Sequence, residues 1–135
     1  MLNPIHVSDT LTVSPQPEPT DMAVVAQQGF TTVVCNRPDG EAPDQPTMDT
    51  MAQAAEAAGL KFVRYPVNPA TFPGDDLEGL GRIFNSGEKV FAYCRTGTRC
   101  TNLWVASQSG AERETAIAQA RALGFDLSLA QRLGL

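Results

Sequence analysis

The chain predicts an α/β fold, a central mostly parallel sheet with helices on both faces, and three observations lead there. Short runs rich in β-branched and aromatic residues, at 31–35, 61–67 and 90–93, alternate with helix-patterned segments of about ten residues. Glycines stand where those helical patterns stop, at Gly29, Gly59 and Gly124. Strand-to-helix crossovers of this kind join parallel strands and cover both faces of their sheet. With 135 residues, 42% of them hydrophobic, the chain has material for one core, and residues 1–135 read as a single domain.

The elements follow in order. Residues 5–7 and 11–13 are two short strands around the polar Ser8-Asp9-Thr10, and Pro15, Pro17 and Pro19 prevent extension. His6, the one histidine, reads as a partly exposed strand residue and is given no chemical role. Thr20 caps a helix through Gln28, with Asp21 in its first turn. Residues 31–35 suit a sheet interior, and 36–40 can only be a turn or loop. Pro46 or Thr47 opens a helix to Ala58, in which Met48, Met51, Ala52 and Ala55 fall at helical spacing as core residues. A strand at 61–67 leads to a proline-bearing loop at 68–74, and Asp75 and Asp76 suit the first turn of a helix through Phe84. The strand ending at Cys94 is followed by helices at 99–109, 112–123 and 127–133.

Charge and cysteine usage exclude several function classes. A net charge of −5 and a pI near 4.7 argue against nucleic-acid or anionic-membrane partners, which need a broad basic surface. No stretch approaches the ~18 apolar residues of a membrane span, and residues 1–20 lack the pattern of a secretion signal, so a cytoplasmic location is expected. Three cysteines without metal-type spacing suggest reduced thiols, with no zinc site, disulfide framework or cofactor.

The chemistry concentrates in Cys94-Arg95-Thr96-Gly97-Thr98-Arg99-Cys100, between a buried strand and a helix. Backbone amides in such a loop, the helix dipole and two arginines together make an anion site and favour thiolate, so Cys94 is the candidate nucleophile. Gly97 allows the loop to turn its amides inward. Arg99, at the loop's end, is expected to fork onto two oxygens of a bound anion, while Arg95 points outward; Thr96, Thr98 and Cys100 complete the anion-binding loop. In an alternating β/α chain the loop at 35–41 lies at the same sheet edge, so Arg37 and Asp39 either assist the substrate or hold the Cys94 loop, or merely form a solvated turn.

The loop resembles the active-site loop of rhodanese-type sulfurtransferases and, less closely, the phosphate loop of cysteine-dependent phosphatases. Together with Cys35-Asn36-Arg37-Pro38-Asp39-Gly40-Glu41, Pro43-Asp44-Gln45-Pro46, Ser14-Pro15-Gln16-Pro17 and Asn102-Leu103-Trp104, it is similar in the same order to the bacterial family called beta-lactamase hydrolase-like protein, phosphatase-like domain. That resemblance implies a three-layer cysteine-phosphatase-like fold, favours a part for Arg37, and leaves two reactions. A sulfurtransferase carries sulfane sulfur as a Cys94 persulfide from a small anionic sulfur donor to an acceptor thiol; a phosphatase forms a phospho-cysteine and normally needs a carboxylic acid for the leaving oxygen. Phosphatases of this type have five residues between cysteine and arginine, whereas four separate Cys94 from Arg99, and Cys100 takes the sixth position. Asn68 stands where many such enzymes place their acid, leaving Asp39, Asp44, Asp75 or Asp76 to substitute. Both departures weigh towards sulfur transfer, with phosphate-ester hydrolysis as the alternative and a non-catalytic thiol or anion sensor as the third reading.

Overall fold

The computed structural model describes residues 3–135. Along the chain run β1 (Ile5–His6), β2 (Leu11–Ser14), α1 (Asp21–Gln27), β3 (Thr32–Cys35), α2 (Met48–Ala57), β4 (Lys61–Arg64), α3 (Leu77–Phe84), β5 (Val90–Tyr93), α4 (Thr98–Ser107), α5 (Gly110–Ala122) and α6 (Ser128–Gln131). The sheet order is β1-β2-β5-β3-β4, with β1 antiparallel to β2 and every other pair parallel. The expected mostly parallel α/β sheet is therefore present.

Topology explains where the site sits. The chain leaves β2, crosses through α1 and lays down β3 two places away, so β5 later enters the gap between them. Loops diverge at such a switch point and leave a crevice at the carboxyl edge. All four residues of β5 are buried, and their alternation divides the core. Val90, Ala92 and Cys94 pack with Leu80, Phe84, Leu103, Ala116 and Leu127, from the layer of α3 to α6. Phe91 and Tyr93 pack with Met22, Val25, Met51 and Ala55 from α1 and α2. Of the α2 pair, Met51 is a fully buried core residue, as its spacing predicts, and the half-buried Met48 packs against the same cluster.

The ends of elements show what local chemistry decides. Thr47 caps α2, its hydroxyl accepting from Thr50 N, and Asp76 caps α3 through Gly79 N. Thr20 makes no cap bond; Asp21 instead turns its carboxylate back to Glu18 N. The strand expected over 61–67 is regular only to Arg64, because Pro66 has no N–H to donate. Tyr65 N and Val67 N still bond Cys35 O and Asn36 O, so the backbone follows β3 towards the site. His6 is exposed on β1 and its ring nitrogen meets the Thr12 hydroxyl at 2.6 Å, the surface role expected. Among the described residues no helix is long and apolar enough to cross a membrane.

Candidate active site

Cys94 follows β5 directly, and the next three residues turn the chain into α4. Gly97 is the turning point, with φ +94° in the left-handed region, and its amide donates to Cys94 Sγ at 3.0 Å. The Thr101 hydroxyl bonds Gly97 O from one helical turn below and ties the loop to the helix. Cys94 is only 1% exposed. Burial alone raises a thiol's pKa, yet this one is lowered to about 6. The cause is donors: the Cys100 thiol first, then the backbone amides of Cys100, Thr96 and Gly97, which together outweigh desolvation.

The backbone amides are the donors that the sequence reading expects, whereas neither arginine is among the causes and the Cys100 thiol leads them. Arg95 is exposed, as expected. Arg99 spends its guanidinium fork elsewhere: Nη1 donates to Glu41 Oε2 at 3.0 Å and Val67 O at 2.9 Å, and Nη2 reaches Glu41 Oε1 at 3.4 Å. Its fork therefore lies on a carboxylate of the protein. The end edge of the guanidinium is occupied; Nε–H and the second Nη2 hydrogen, which form the side edge, have no partner among the described residues. Cys100 also departs from expectation. It is fully buried in the first turn of α4, beneath the loop, where its thiol faces Cys94 and is itself pushed well up by burial and by that neighbour. Thr96 is exposed and its hydroxyl receives Thr98 N, while Thr98 opens α4 and gives its carbonyl to Asn102.

The loop after β3 supplies the second half. Arg37 is 4% exposed; its Nε donates to Glu41 Oε1 at 3.1 Å and its Nη1 to Gln16 Oε1 at 3.1 Å. Glu41 is thus shared by two shielded arginines and ties the loop after β3 to the start of α4, while Arg37 reaches the loop after β2 through Gln16. Arg37 holds the assembly from behind. Asp39 does not join it: its carboxylate receives Met48 N at 2.8 Å and anchors the start of α2. The residues that sequence reasoning missed are Glu41 and Gln16. For Glu41 the signal was present, an arginine four residues before a glutamate, but that spacing is most familiar as a surface pair of little consequence.

The candidate acids are also placed. Asn68 accepts from Ala70 N and Thr71 N and so shapes its own loop. Asp76 is the cap of α3, and Asp44 and Asp75 are exposed. Glu41 accepts hydrogen bonds from both Arg37 and Arg99.

A family model described as beta-lactamase hydrolase-like protein, phosphatase-like domain matches residues 5–111. Among curated relatives, a beta-lactamase hydrolase-like protein of Agrobacterium fabrum is 33% identical over 132 residues, 95% of this chain and 31% of its own length. One of Xylella fastidiosa is 31% identical over 93% of this chain and 30% of its own. The chain therefore spans about a third of the length of these relatives. Among solved structures, a Neisseria meningitidis protein described as a candidate phosphatase is 34% identical with a TM-score of 0.73, covering 96% of this chain and 94% of that one. The structure called Tk-PTP in the active form, 21% identical, has a TM-score of 0.71 over 96% of this chain and 91% of that one, a likeness of fold.

Proposed function

We propose that this chain, which belongs to the beta-lactamase hydrolase-like protein, phosphatase-like domain family, hydrolyses phosphate monoesters through a phospho-Cys94 intermediate. The observation that carries the reading is the cradle around Cys94: a thiol lowered to about 6 and ringed by inward donors at the start of α4. Those same amides and the helix dipole suit the equatorial oxygens of a phosphoryl group in transit. The side edge of Arg99 adds two parallel donors, held in place because Glu41 has the end edge. Cys94 sulfur attacks phosphorus, the ester P–O bond breaks, and the leaving oxygen takes a proton from solvent water, since the carboxylates of Asp39 and Asp76 are engaged at helix starts. Water then attacks the phospho-cysteine, releasing phosphate and returning the thiolate. Family membership and the Neisseria relative support this alternative over the sulfur transfer that the loop spacing favours.

Sulfur transfer remains the second reading on one observation, the four-residue spacing between Cys94 and Arg99. The neighbouring Cys100 weighs against it. A Cys94 persulfide beside that thiol is open to attack, in which an S–S bond forms to Cys100 and hydrogen sulfide leaves before any acceptor arrives. The test is a paired assay with an aryl phosphate and with thiosulfate plus an acceptor thiol, each repeated with Cys94→Ser. Turnover of the aryl phosphate that disappears in the variant supports the proposal; Cys94-dependent sulfur transfer without phosphate release overturns it.

A further inference from the structure

A leaving oxygen that draws its proton from water limits which phosphoryl compounds a site can cleave, and at this site the limit centres on Asn68. Arg99 Nη1 donates to Val67 O at 2.9 Å, so the next residue, the half-buried Asn68, stands at the edge of the anion site. Its Oδ1 accepts from Ala70 N at 2.8 Å and Thr71 N at 2.9 Å, and its own backbone N–H donates to the Thr71 hydroxyl. That turn fixes the amide, and Nδ2 has no partner among the described residues. An amide N–H hydrogen-bonds to an oxyanion but gives up no proton at neutral pH. Nearby carboxylates are engaged. Glu41 accepts from Arg37 and Arg99, Asp39 from Met48 N, and Asp76 from Gly79 N. Asp126 lies beside the start of α4, because Asn102 Nδ2 bonds both Thr98 O and Asp126 O. It accepts Ser128 N at 2.7 Å, and Ser128 lowers its pKa from the ordinary carboxylate value.

We propose that the site is selective for phosphoryl compounds whose leaving group is a weak base, aryl and acyl phosphates over alkyl phosphates, and that Asn68 sets this selectivity by meeting the leaving oxygen as a hydrogen-bond donor in place of an acid. This rests on the phospho-Cys94 reaction of the proposed function and names its substrate class. As the S–P bond forms, the P–O bond breaks with its electron pair on the leaving oxygen. A phenolate or a carboxylate carries that pair readily, and an alkoxide does not. The phenolate takes its proton from water, and the carboxylate needs none at neutral pH. A positioned acid is worth ~10²–10⁴-fold, and alkyl phosphates, which depend on it most, go without it here.

Phosphate release by the full chain is measured with a series of substituted phenyl phosphates, with acetyl phosphate and with glycerol 3-phosphate. Across the phenyl series kcat/KM is expected to fall about tenfold for each pKa unit of the leaving phenol, with acetyl phosphate at the fast end and glycerol 3-phosphate at least about a thousandfold below 4-nitrophenyl phosphate. Asn68→Asp keeps one oxygen for the turn and offers the other as an acid. It is expected to raise phenyl phosphate turnover about tenfold relative to 4-nitrophenyl phosphate, which flattens the slope. A thermal melt shows that this variant is folded, and if it is not, the parent slope and the next three variants decide. Glu18→Gln, Asp44→Asn and Asp75→Asn, which alter exposed carboxylates on the loops of this edge, are each expected to leave the slope as it is. A flat series in the parent chain overturns the proposal, as does a slope steepened by any of these three. A slope that a folded Asn68→Asp leaves unchanged overturns the role given to Asn68. Cys94→Ser separates this inference from the reading beneath it: a flat series that still requires Cys94 leaves the phosphatase standing, whereas no Cys94-dependent release from any substrate overturns both.

Discussion

Cys35 and Cys94 sit at the carboxyl ends of neighbouring parallel strands, each 1% exposed, one position out of register with each other. Their environments push them in opposite directions. Cys35 donates its own hydrogen to Arg37 O at 3.3 Å, packs against Tyr93, and has its pKa raised by burial. Cys94 accepts hydrogens from a thiol and three amides and is lowered to about 6. Burial is common to both, so it cannot be what makes a nucleophile. The difference is which way the following backbone points: after Cys35 the chain presents a carbonyl, and after Cys94 it presents N–H groups around a left-handed glycine.

Substitution of the two thiols gives the largest expected contrast. Cys94→Ser should lower kcat/KM for an aryl phosphate by at least about a thousandfold, ~4 kcal/mol of barrier, and Cys35→Ser by less than about threefold. Comparable losses would show that both thiols serve the reaction. Next comes the ion network. Arg99→Lys removes a planar fork and should cost about a hundredfold in kcat/KM, against a few-fold for exposed Arg95→Lys. Glu41→Gln leaves two shielded guanidiniums without a carboxylate, and should lower unfolding stability by roughly 3 kcal/mol as well as raising KM. Denaturant titration beside steady-state kinetics checks both effects.

The fold was legible because its signals are local and repeated. The alternating runs and the helix-stopping glycines act within a few residues, and they placed nearly every element to within two or three positions, whereas the cap read at Thr20 makes no cap bond and the one at Asp76 was read as first turn. The site was legible in part. Cys94, Gly97 and the outward Arg95 follow from a strand, a turn and a helix in succession. Glu41 did not, because its role depends on Arg99, 58 residues away in sequence, arriving at the same carboxylate as Arg37. Cys100 was read as part of the anion loop because sequence order does not say that the first turn of α4 directs this side chain beneath the loop. Asp39 was weighed as a site residue and is a helix anchor, a distinction that rests on one bond to Met48 N.

The same comparison can be sharpened through pH. The folded pKa of Cys94, about 6, lies below the ordinary thiol value of 9.0, so the folded state releases this proton first. Its contribution to stability is full above pH 9, falls as pH drops through 9 towards 6, and is gone below about pH 6. Cys35, shifted upwards, has the opposite sign and costs stability once the unfolded thiol ionises. Thermal melts between pH 6 and 9 should therefore show a rising Tm component that Cys94→Ser removes and Cys35→Ser does not.

The most direct test of the central claim, that donors around Cys94 rather than burial or arginine charge create the nucleophile, is the rate of alkylation against pH, followed at each cysteine by peptide mass. Iodoacetamide should react with Cys94 at a rate that titrates with a midpoint near 6, with Cys35 and Cys100 labelled far more slowly across the range. A Cys94 midpoint close to 9.0, or Cys35 labelled first, would contradict it.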